Sequence, residues 1–303
     1  MTPPSQRSQE TLGRGFKVGH YTDTSALTGC TVVIPPPGNV TSCEIRGSSP
    51  GSRELALLDP ERRITEVSAL LLTGGSAFGL SAATGVMEWL EERGIGHVTP
   101  VATVPLVAAA VVYDLRTGDP AVRPGPPEGR AACEAASEGP IARGLVGAGT
   151  GTTVGKIAGP DAGVPGGLGV ATAARDGAAV HALAVANAVG NVVADDATLI
   201  AGTPVPPEGP VPRDMAEGEG NTVLVCVTVR ATLEKRQVKW LAGRATDGIT
   251  RCIRPAHTLF DGDVAFAVAV PPDEDEPEPD LTVLGYLATD AVSAALRDAV
   301  TTR

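Results

Sequence analysis

The chain has 303 residues, of which 43% are hydrophobic and 19% charged, enough apolar material for one large α/β domain or two smaller ones. A formal net charge of −11 and an aromatic content of 3% disfavour a nucleic-acid partner, which basic and stacking side chains would favour. No apolar run reaches the roughly 20 residues that span a bilayer, and the polar N-terminus has no secretory-signal core. The five scattered cysteines form no C-x-x-C pair, so we expect reduced thiols in a cytoplasmic protein.

The predicted elements alternate between helix and strand. Apolar spacing and β-branched runs predict, in chain order, a helix over 75–93, a buried strand and turn over 178–193, a strand over 222–229, a helix over 238–252, a strand over 264–270 and a packed helix over 281–299. Asp280 precedes the last helix and can cap it. This alternation predicts an α/β protein with sheets covered by helices.

Three stretches rich in Pro, Gly or acidic residues are predicted to be connectors: 116–130, 201–220 and 271–280. The second (AGTPVPPEGPVPRDMAEGEG) is the longest and stops abruptly at the predicted strand 222–229. We expect residues 1–303 to form a single domain, with an accessible peptide bond at this junction.

Nucleotide and metal motifs fail on inspection. The glycine-rich stretch 144–156 (GLVGAGTGTTVGK) lacks the first glycine of a phosphate loop, because Thr150 stands there. It also lacks the hydroxyl after its lysine, because Ile157 follows. The four histidines show no i, i+4 pair, so nucleotide and metal chemistry are both disfavoured.

Gly220-Asn221-Thr222 has the features of an N-terminal nucleophile site. A hydroxyl on the first residue of a strand is held rigidly, and the Thr222 hydroxyl can attack the carbonyl carbon of Asn221. Hydrolysis of the resulting ester frees the Thr222 α-amine, whose ordinary pKa of about 7.7–8.0 suits a general base. The alternative is an ordinary threonine at a strand start.

Asp261-Gly262-Asp263 immediately precedes the second apolar strand. If the strands at 222 and 264 are parallel, their starts lie at one end of the sheet, and two carboxylates then flank Thr222. Gly262 is expected to permit the tight turn that aims them. The alternative is a solvated turn.

Lys156 and Asn187 are two further candidates. Lys156 is one of only four lysines and stands among Gly, Thr and Ala, where its ammonium must find a partner or stay wet. Near a nucleophile it could lower the pKa of an amine or stabilise developing negative charge. Asn187 lies in an apolar run, and its amide could donate to an oxyanion. Alternatively, Lys156 is a surface residue and Asn187 a buried amide that only needs a partner.

Six blocks join these residues: TGGSAFGL at 73–80, VYD at 112–114, GK at 155–156, NAVG at 187–190, GNT at 220–222 and HTLFDGD at 257–263. In this order they resemble the P1 peptidase family, which holds L-aminopeptidase/D-esterases, β-aminopeptidases and 6-aminohexanoate (nylon) oligomer hydrolases. The resemblance extends from about residue 18 to the C-terminal helix.

The resemblance implies a four-layer αββα sandwich, similar to N-terminal-nucleophile hydrolases but with the L-aminopeptidase/D-esterase topology. It implies self-cleavage between Asn221 and Thr222 into an α chain (1–221) and a β chain (222–303) that stay associated. Thr222 would be the nucleophile, Lys156, Asn187, Asp261 and Asp263 its hydrogen-bond network, and Tyr113 a wall of the site. No cofactor or metal is implied, and relatives form tetramers or larger assemblies.

The substrate stays open between aminoacyl or peptide amides and ω-amino-acid oligomers. A threonine nucleophile with an Asp-Gly-Asp pair is similar to the nylon-oligomer branch, whereas the aminopeptidase branch carries serine. Phe78 lacks the hydroxyl that some relatives have there. Two other functions compete: a self-cleaving acyltransferase similar to ornithine acetyltransferase, and an uncleaved, non-catalytic binding relative.

Overall fold

The computed structural model describes residues 10–204, 220–274 and 276–302, which form seventeen strands and four α-helices. The strands are β1 (Lys17–Asp23), β2 (Thr28–Ile34), β3 (Val40–Ile45), β4 (Ser52–Arg53), β5 (Ala69–Thr73), β6 (His97–Val98), β7 (Thr103–Val104), β8 (Val107–Val111), β9 (Thr153–Val154), β10 (Val164–Pro165), β11 (Gly167–Arg175), β12 (Ala178–Asn187), β13 (Asn191–Val193), β14 (Leu199–Ala201), β15 (Thr222–Arg230), β16 (Ile253–Arg254) and β17 (Val264–Val270). The helices are α1 (Ala82–Glu91), α2 (Pro126–Glu134), α3 (Lys235–Cys252) and α4 (Leu281–Thr301). Within the described ranges, no helix combines the length and hydropathy needed to cross a membrane.

Two five-stranded sheets organise the fold. The first has the strand order β1-β2-β5-β8-β4, and the second has the order β11-β12-β15-β17-β3. β5 pairs with β8, and β15 with β17, in parallel, whereas the other neighbours in both sheets are antiparallel. The early strand β3 lies at the edge of the second sheet beside β17, so N-terminal and C-terminal parts of the chain share one sheet.

Side chains of β15 alternate between two cores because successive residues of a strand point to opposite faces. Val223 and Val225 pack against α3 and α4, whereas Leu224 and Cys226 face the first sheet and join Leu72 in a core between the sheets. A third core packs α1 and α2 against the outer face of the first sheet. The layers therefore run helix, sheet, sheet, helix, as the αββα expectation requires.

Small residues set the spacing of the helix layer on the second sheet. In β17, Ala265, Ala267 and Ala269 face α3 and α4, while Phe266 fills the space between the sheets. Phe266 is completely buried and contributes on the order of 2 kcal/mol of transfer free energy. An aromatic-poor chain thus builds its core largely from close-packed aliphatic side chains.

The C-terminal half follows the sequence expectation closely. The predicted strands 222–229 and 264–270 correspond to β15 and β17, and the predicted helices 238–252 and 281–299 correspond to α3 and α4. Asp280 caps α4: its side chain accepts the N–H groups of Thr282 and Val283 at 2.8 and 3.2 Å. The stretch predicted as strand and turn forms β12, three linking residues and then β13.

Two predictions in the N-terminal half need correction. The helix predicted over 75–93 begins as a 3-10 helix at Ser76–Ser81, and α-helical geometry covers only α1, because Gly75 and Ser76 adopt left-handed backbone angles. The predicted connector 116–130 ends inside α2, whose first residue is Pro126; proline suits the first turn, where its missing N–H is not needed. Residues 205–219 of the connector predicted over 201–220 lie outside the described residues, and Ala201 ends β14.

Candidate active site

Thr222 is the first residue of β15 and lies at one end of the space between the two sheets. It is 4% exposed, and strand alternation places its side chain on the same face as Leu224, toward the first sheet. Asn187, the last residue of β12, lies directly opposite Thr222 in the antiparallel pair, so the two side chains share a face. Tyr113 comes shortly after β8 of the first sheet and reaches this end from the other side.

Hydrogen bonds from nearby groups fix the peptide bond between Asn221 and Thr222. Thr222 Oγ1 donates to the carbonyl oxygen of Asn221 at 2.6 Å. The backbone N–H of Gly262 donates to the same oxygen at 2.6 Å, and the N–H of Asn221 donates to the carbonyl of Phe260 at 3.1 Å. A hydroxyl and a backbone donor therefore meet on one carbonyl oxygen, which is the arrangement that polarises a carbonyl for attack.

The predicted juxtaposition of Thr222 with the Asp-Gly-Asp turn is confirmed. β15 and β17 are parallel, and an isolated parallel bridge joins Asn221 to Asp261. Asp263 Oδ1 accepts the N–H of Val223 at 2.6 Å, so one carboxylate holds the residue that follows the threonine. Asp261 and Asp263 are each 1% exposed, so the alternative of a solvated turn is wrong.

Gly262 is needed for space and not for its backbone angles. Its φ is not among the left-handed values found for glycines of the described residues. A Cβ at this position would lie 2.6 Å from the carbonyl oxygen of Ser49 and 2.8 Å from Thr222 Oγ1. Any side chain here would therefore push on the threonine hydroxyl.

Lys156 and Asn187 form a direct contact. Lys156 Nζ donates to Asn187 Oδ1 at 3.0 Å, and the same oxygen accepts the N–H of Thr153 at 3.1 Å. Asn187 Nδ2 donates to the carbonyl oxygen of Tyr113 at 3.1 Å. Asn187 thus links the lysine to Tyr113 through its two side-chain polar atoms. Donation by its amide to an oxyanion stays a prediction.

Burial shifts the pKa values of two charged groups in opposite directions. Burial lowers the pKa of Lys156 to about 7, and the nearby charge of Asp261 offsets part of this effect. Burial raises the pKa of Asp261, and the like charge of Asp263 raises it further, against hydrogen bonds from Thr258. Both groups can therefore change protonation state closer to neutral pH than isolated side chains would.

Sequence reasoning missed two side chains that organise the site. Asp114, next to Tyr113, is buried and accepts the Thr28 hydroxyl and the Gly75 N–H, each at 2.7 Å. His257 Nδ1 lies 2.7 Å from Asp263 Oδ2. Both residues stand inside the motif blocks, but neither contact follows from spacing, because each crosses from one loop to another element or depends on the local turn.

A cavity of about 180 Å³ adjoins the site. Among its lining residues are Lys156, Tyr113 and Gly220, together with Arg116 and Asp161, whose charged groups lie 3.7 Å apart. A larger cavity of about 830 Å³ lies elsewhere, and none of the predicted site residues lines it. Within the described ranges, no group of three or more His, Cys, Asp or Glu side chains is arranged to hold a metal ion.

The fold is that of N-terminal-nucleophile-type aminopeptidases. The structure is similar to that of a β-aminopeptidase from Burkholderia sp., at 21% identity and a TM-score of 0.72, covering 96% of this chain and 86% of that one. It is also similar to the L-aminopeptidase D-Ala-esterase/amidase of Ochrobactrum anthropi, described as a variant of the Ntn hydrolase fold, at 18% identity and a TM-score of 0.71, covering 96% and 85%. The expected fold class is confirmed.

The chain belongs to peptidase family S58, whose profile matches residues 14–302. An uncharacterized aminopeptidase of Mycobacterium bovis is 39% identical over 322 residues, covering 93% of this chain and 90% of that protein. A 6-aminohexanoate-oligomer endohydrolase of Paenarthrobacter ureafaciens is 31% identical over 270 residues, covering 84% and 72%. The protein is accordingly a peptidase or amide hydrolase, and the predicted family is confirmed.

Proposed function

We propose that this chain is a self-processing threonine amide hydrolase, which cleaves its own bond between Asn221 and Thr222 and then hydrolyses small amides. One observation carries the proposal: the Thr222 hydroxyl and the Gly262 N–H both contact the Asn221 carbonyl oxygen at 2.6 Å. The Thr222 hydroxyl is the nucleophile of the self-cleavage. The Gly262 N–H is already in place to donate to the oxyanion that forms when this hydroxyl attacks.

The self-cleavage proceeds in two balanced steps. Thr222 Oγ1 forms a bond to the carbonyl carbon of Asn221, the C–N bond of the peptide breaks, and the hydroxyl proton is transferred to the leaving amine. Water then hydrolyses the ester, which leaves a carboxylate on Asn221 and a free hydroxyl and α-amine on Thr222. That amine, with an ordinary pKa of about 7.7–8.0, serves as the base for its own hydroxyl in later turnovers.

Substrate hydrolysis repeats this chemistry on an external amide. The Thr222 hydroxyl attacks the substrate carbonyl, the amine leaves, and water releases the acyl group from the ester. Lys156, at the wall of the adjoining cavity, supplies positive charge in its protonated form and a neutral amine above a pH of about 7. It is therefore suited to stabilising negative charge that develops nearby.

The adjoining cavity supports small amide substrates. Its volume of about 180 Å³ suits an amino-acid-sized group, and both a carboxylate and a guanidinium border it. Aminoacyl amides and ω-amino-acid oligomers each carry an ammonium that Asp161 could accept. The names of the mycobacterial and Paenarthrobacter relatives point to these same two substrate classes.

A denaturing gel with intact-mass analysis tests the proposal. Purified protein should yield pieces of 221 and 82 residues, as cleavage after residue 221 of 303 requires. A single intact chain after long incubation would contradict self-processing and favour a binding relative. Aminoacyl anilides and 6-aminohexanoate oligomers, assayed with and without an amine acceptor, then distinguish hydrolysis from acyl transfer.

A further inference from the structure

His257 makes a close contact behind the proposed nucleophile. Its Nδ1 lies 2.7 Å from Asp263 Oδ2, and its backbone N–H donates to the same oxygen at 3.3 Å. The other oxygen of Asp263 accepts the N–H of Val223 at 2.6 Å. A fully buried carboxylate thus bridges the histidine and the residue next to Thr222.

The conformation of His257 is costly in itself. Its φ of 54° lies in the left-handed region, which non-glycine residues seldom adopt. Its Nε2 is buried and, among the described residues, has no hydrogen-bond partner. Backbone strain and an unpaired ring nitrogen both oppose folding. The benefit of this conformation is the contact between His257 and Asp263.

The two buried carboxylates cannot ionise equally easily. Asp261 and Asp263 interact as like charges, which favours a proton on one of them. Among the described residues, two further titratable groups interact with this pair: Lys156, whose pKa the charge of Asp261 raises, and His257, which contacts Asp263. Because an ionised carboxylate only accepts hydrogen bonds, an N–H on His257 Nδ1 stabilises the charge on Asp263.

We propose that His257 is a positioning residue, which holds the Asp263 carboxylate on the Val223 N–H so that the Thr222 hydroxyl stays against the Asn221 carbonyl. Its kinetic consequence rests on the proposed self-processing function. The hydrogen bond between His257 and Asp263 does not, and the effect of removing it on the Asp263 carboxyl can be measured in a chain that never cleaves.

Two substitutions separate the side-chain hydrogen bond from the backbone strain. Both His257→Gly and His257→Asn suit a left-handed φ, but only asparagine can place an amide N–H close to the position of Nδ1. If His257 served only to fill this turn, the glycine variant would behave at least as well as the asparagine variant. If its donor is what matters, only asparagine substitutes for it.

The first measurement follows the Asp263 carboxyl by NMR in ¹³C-aspartate-labelled Thr222→Ala chain, with the signal assigned by its loss on Asp263→Asn. Because a hydrogen-bond donor is lost, adding His257→Gly should raise the Asp263 titration midpoint relative to the parent by about one pH unit or more, and adding His257→Asn should restore the parental midpoint. Equal midpoints with histidine, glycine and asparagine at position 257 would overturn the proposal.

The second measurement follows processing in chains that keep Thr222. His257→Gly should slow the appearance of the 82-residue piece about tenfold or more and move the acid limb of its pH profile to higher pH. His257→Asn should recover most of the rate. A shifted midpoint with unchanged processing would overturn the positioning role. If chains with His257 never cleave, the proposed function fails, while the NMR titration still decides the role of His257.

Discussion

Two buried threonines in β15 differ in what their hydroxyls contact. Thr222 Oγ1 donates to the carbonyl of the preceding residue at 2.6 Å, where attack on the carbonyl carbon would close a five-membered ring. Thr228 Oγ1 donates to the carbonyl of Leu12, far along the chain, also at 2.6 Å. Only the first contact gives a hydroxyl an adjacent peptide bond to cleave, although both satisfy a buried polar group.

Thr222→Val, which keeps the side-chain shape without the hydroxyl, should abolish both processing and hydrolysis. Thr228→Val is the matched control: it should cost about 1 kcal/mol of unfolding free energy and still yield two pieces. Thr222→Ser, which retains a hydroxyl, should still process. Denaturing gels over a time course measure all three, and continued cleavage of the valine variant at 222 would show that another residue is the nucleophile.

Lys156 should make the protein less stable at acid pH. Its pKa is about 7 in the folded state and 10.5 in the unfolded reference, so between these values the unfolded chain binds the extra proton and stability rises with pH. The full cost of the charged lysine is present below pH 7 and disappears as pH rises toward 10.5.

Lys156→Met should therefore stabilise the chain near pH 6 and lose this advantage in alkaline buffer, while activity is lost. We expect a gain on the order of 1 kcal/mol, moderated because the lysine borders a cavity. Urea unfolding at acid and alkaline pH measures the difference, and Lys17→Met controls for removing an exposed charge. Equal stability of the Lys156 variant and the parent at both pH values would contradict the assignment.

At the scale of elements, the parallel pairing of β15 and β17 sets the site. It brings the turn before one strand against the first residue of the other, with Gly262 between them. The close approach of Gly262 to Thr222 leaves no room for a Cβ. Position 262 must therefore lack a side chain, so that its backbone N–H can reach the Asn221 carbonyl.

Gly262→Ala should slow processing strongly, because its methyl group would lie 2.8 Å from Thr222 Oγ1 and displace either the hydroxyl or the loop. Gly243→Ala, in α3, meets nothing within 4 Å and should stabilise the protein by about 0.5–1 kcal/mol without affecting processing. The rate at which the two pieces appear compares these variants. Processing at the parental rate in the alanine variant at 262 would contradict the close approach.

The sequence was sufficient for elements whose burial leaves a continuous apolar run. β15 and β17 are covered on both faces, so their patterns predicted them, whereas their parallel pairing was only a condition of the site prediction, which the structure meets. The start of α1 was predicted wrongly because Gly75 and Ser76 bend the chain before the helical spacing begins. The contact of His257 was not predicted because it depends on a left-handed turn. The Gly262 donor was not predicted because a backbone N–H has no signature in the residue type.

At the scale of the whole molecule, the two predicted pieces are interleaved. In the second sheet, β15 and β17 of residues 222–302 are flanked by β12 and β3 of the N-terminal piece. Two whole strands of the C-terminal piece thus hydrogen-bond to the other piece along their outer edges. Separation would break both sheet ladders and expose the core between the sheets.

The processed pieces should consequently co-elute on native gel filtration and separate only in denaturant. Native mass spectrometry of processed protein would find both pieces in one particle, at 30.6 kDa plus one water or at a multiple of that mass. The uncut Thr222→Val chain serves as the reference for elution volume. Free 82-residue piece under native conditions would contradict the interleaved arrangement as the basis of association.

Lys235 adds a polar clasp between the pieces. It is 6% exposed at the start of α3, and its Nζ donates to the carbonyls of Leu57, Arg62 and Ile64 at 2.7, 3.2 and 2.7 Å. Three donors thus meet three backbone acceptors of the N-terminal piece, which satisfies the hydrogen-bonding capacity of a buried ammonium.

Lys235→Met should lower the free energy of unfolding by about 1–3 kcal/mol, because it leaves three carbonyls without their donor. Arg236→Met, next along α3 but with a side chain 78% exposed, should change stability by less than about 0.5 kcal/mol.

In processed protein, unfolding also separates two chains, so the urea midpoint should fall on dilution, whereas the uncut Thr222→Val chain should show no such dependence. Urea midpoints at two protein concentrations test both effects. If Lys235→Met lowers the midpoint no more than Arg236→Met, the clasp does not hold the pieces together, and the shared sheet alone must do so.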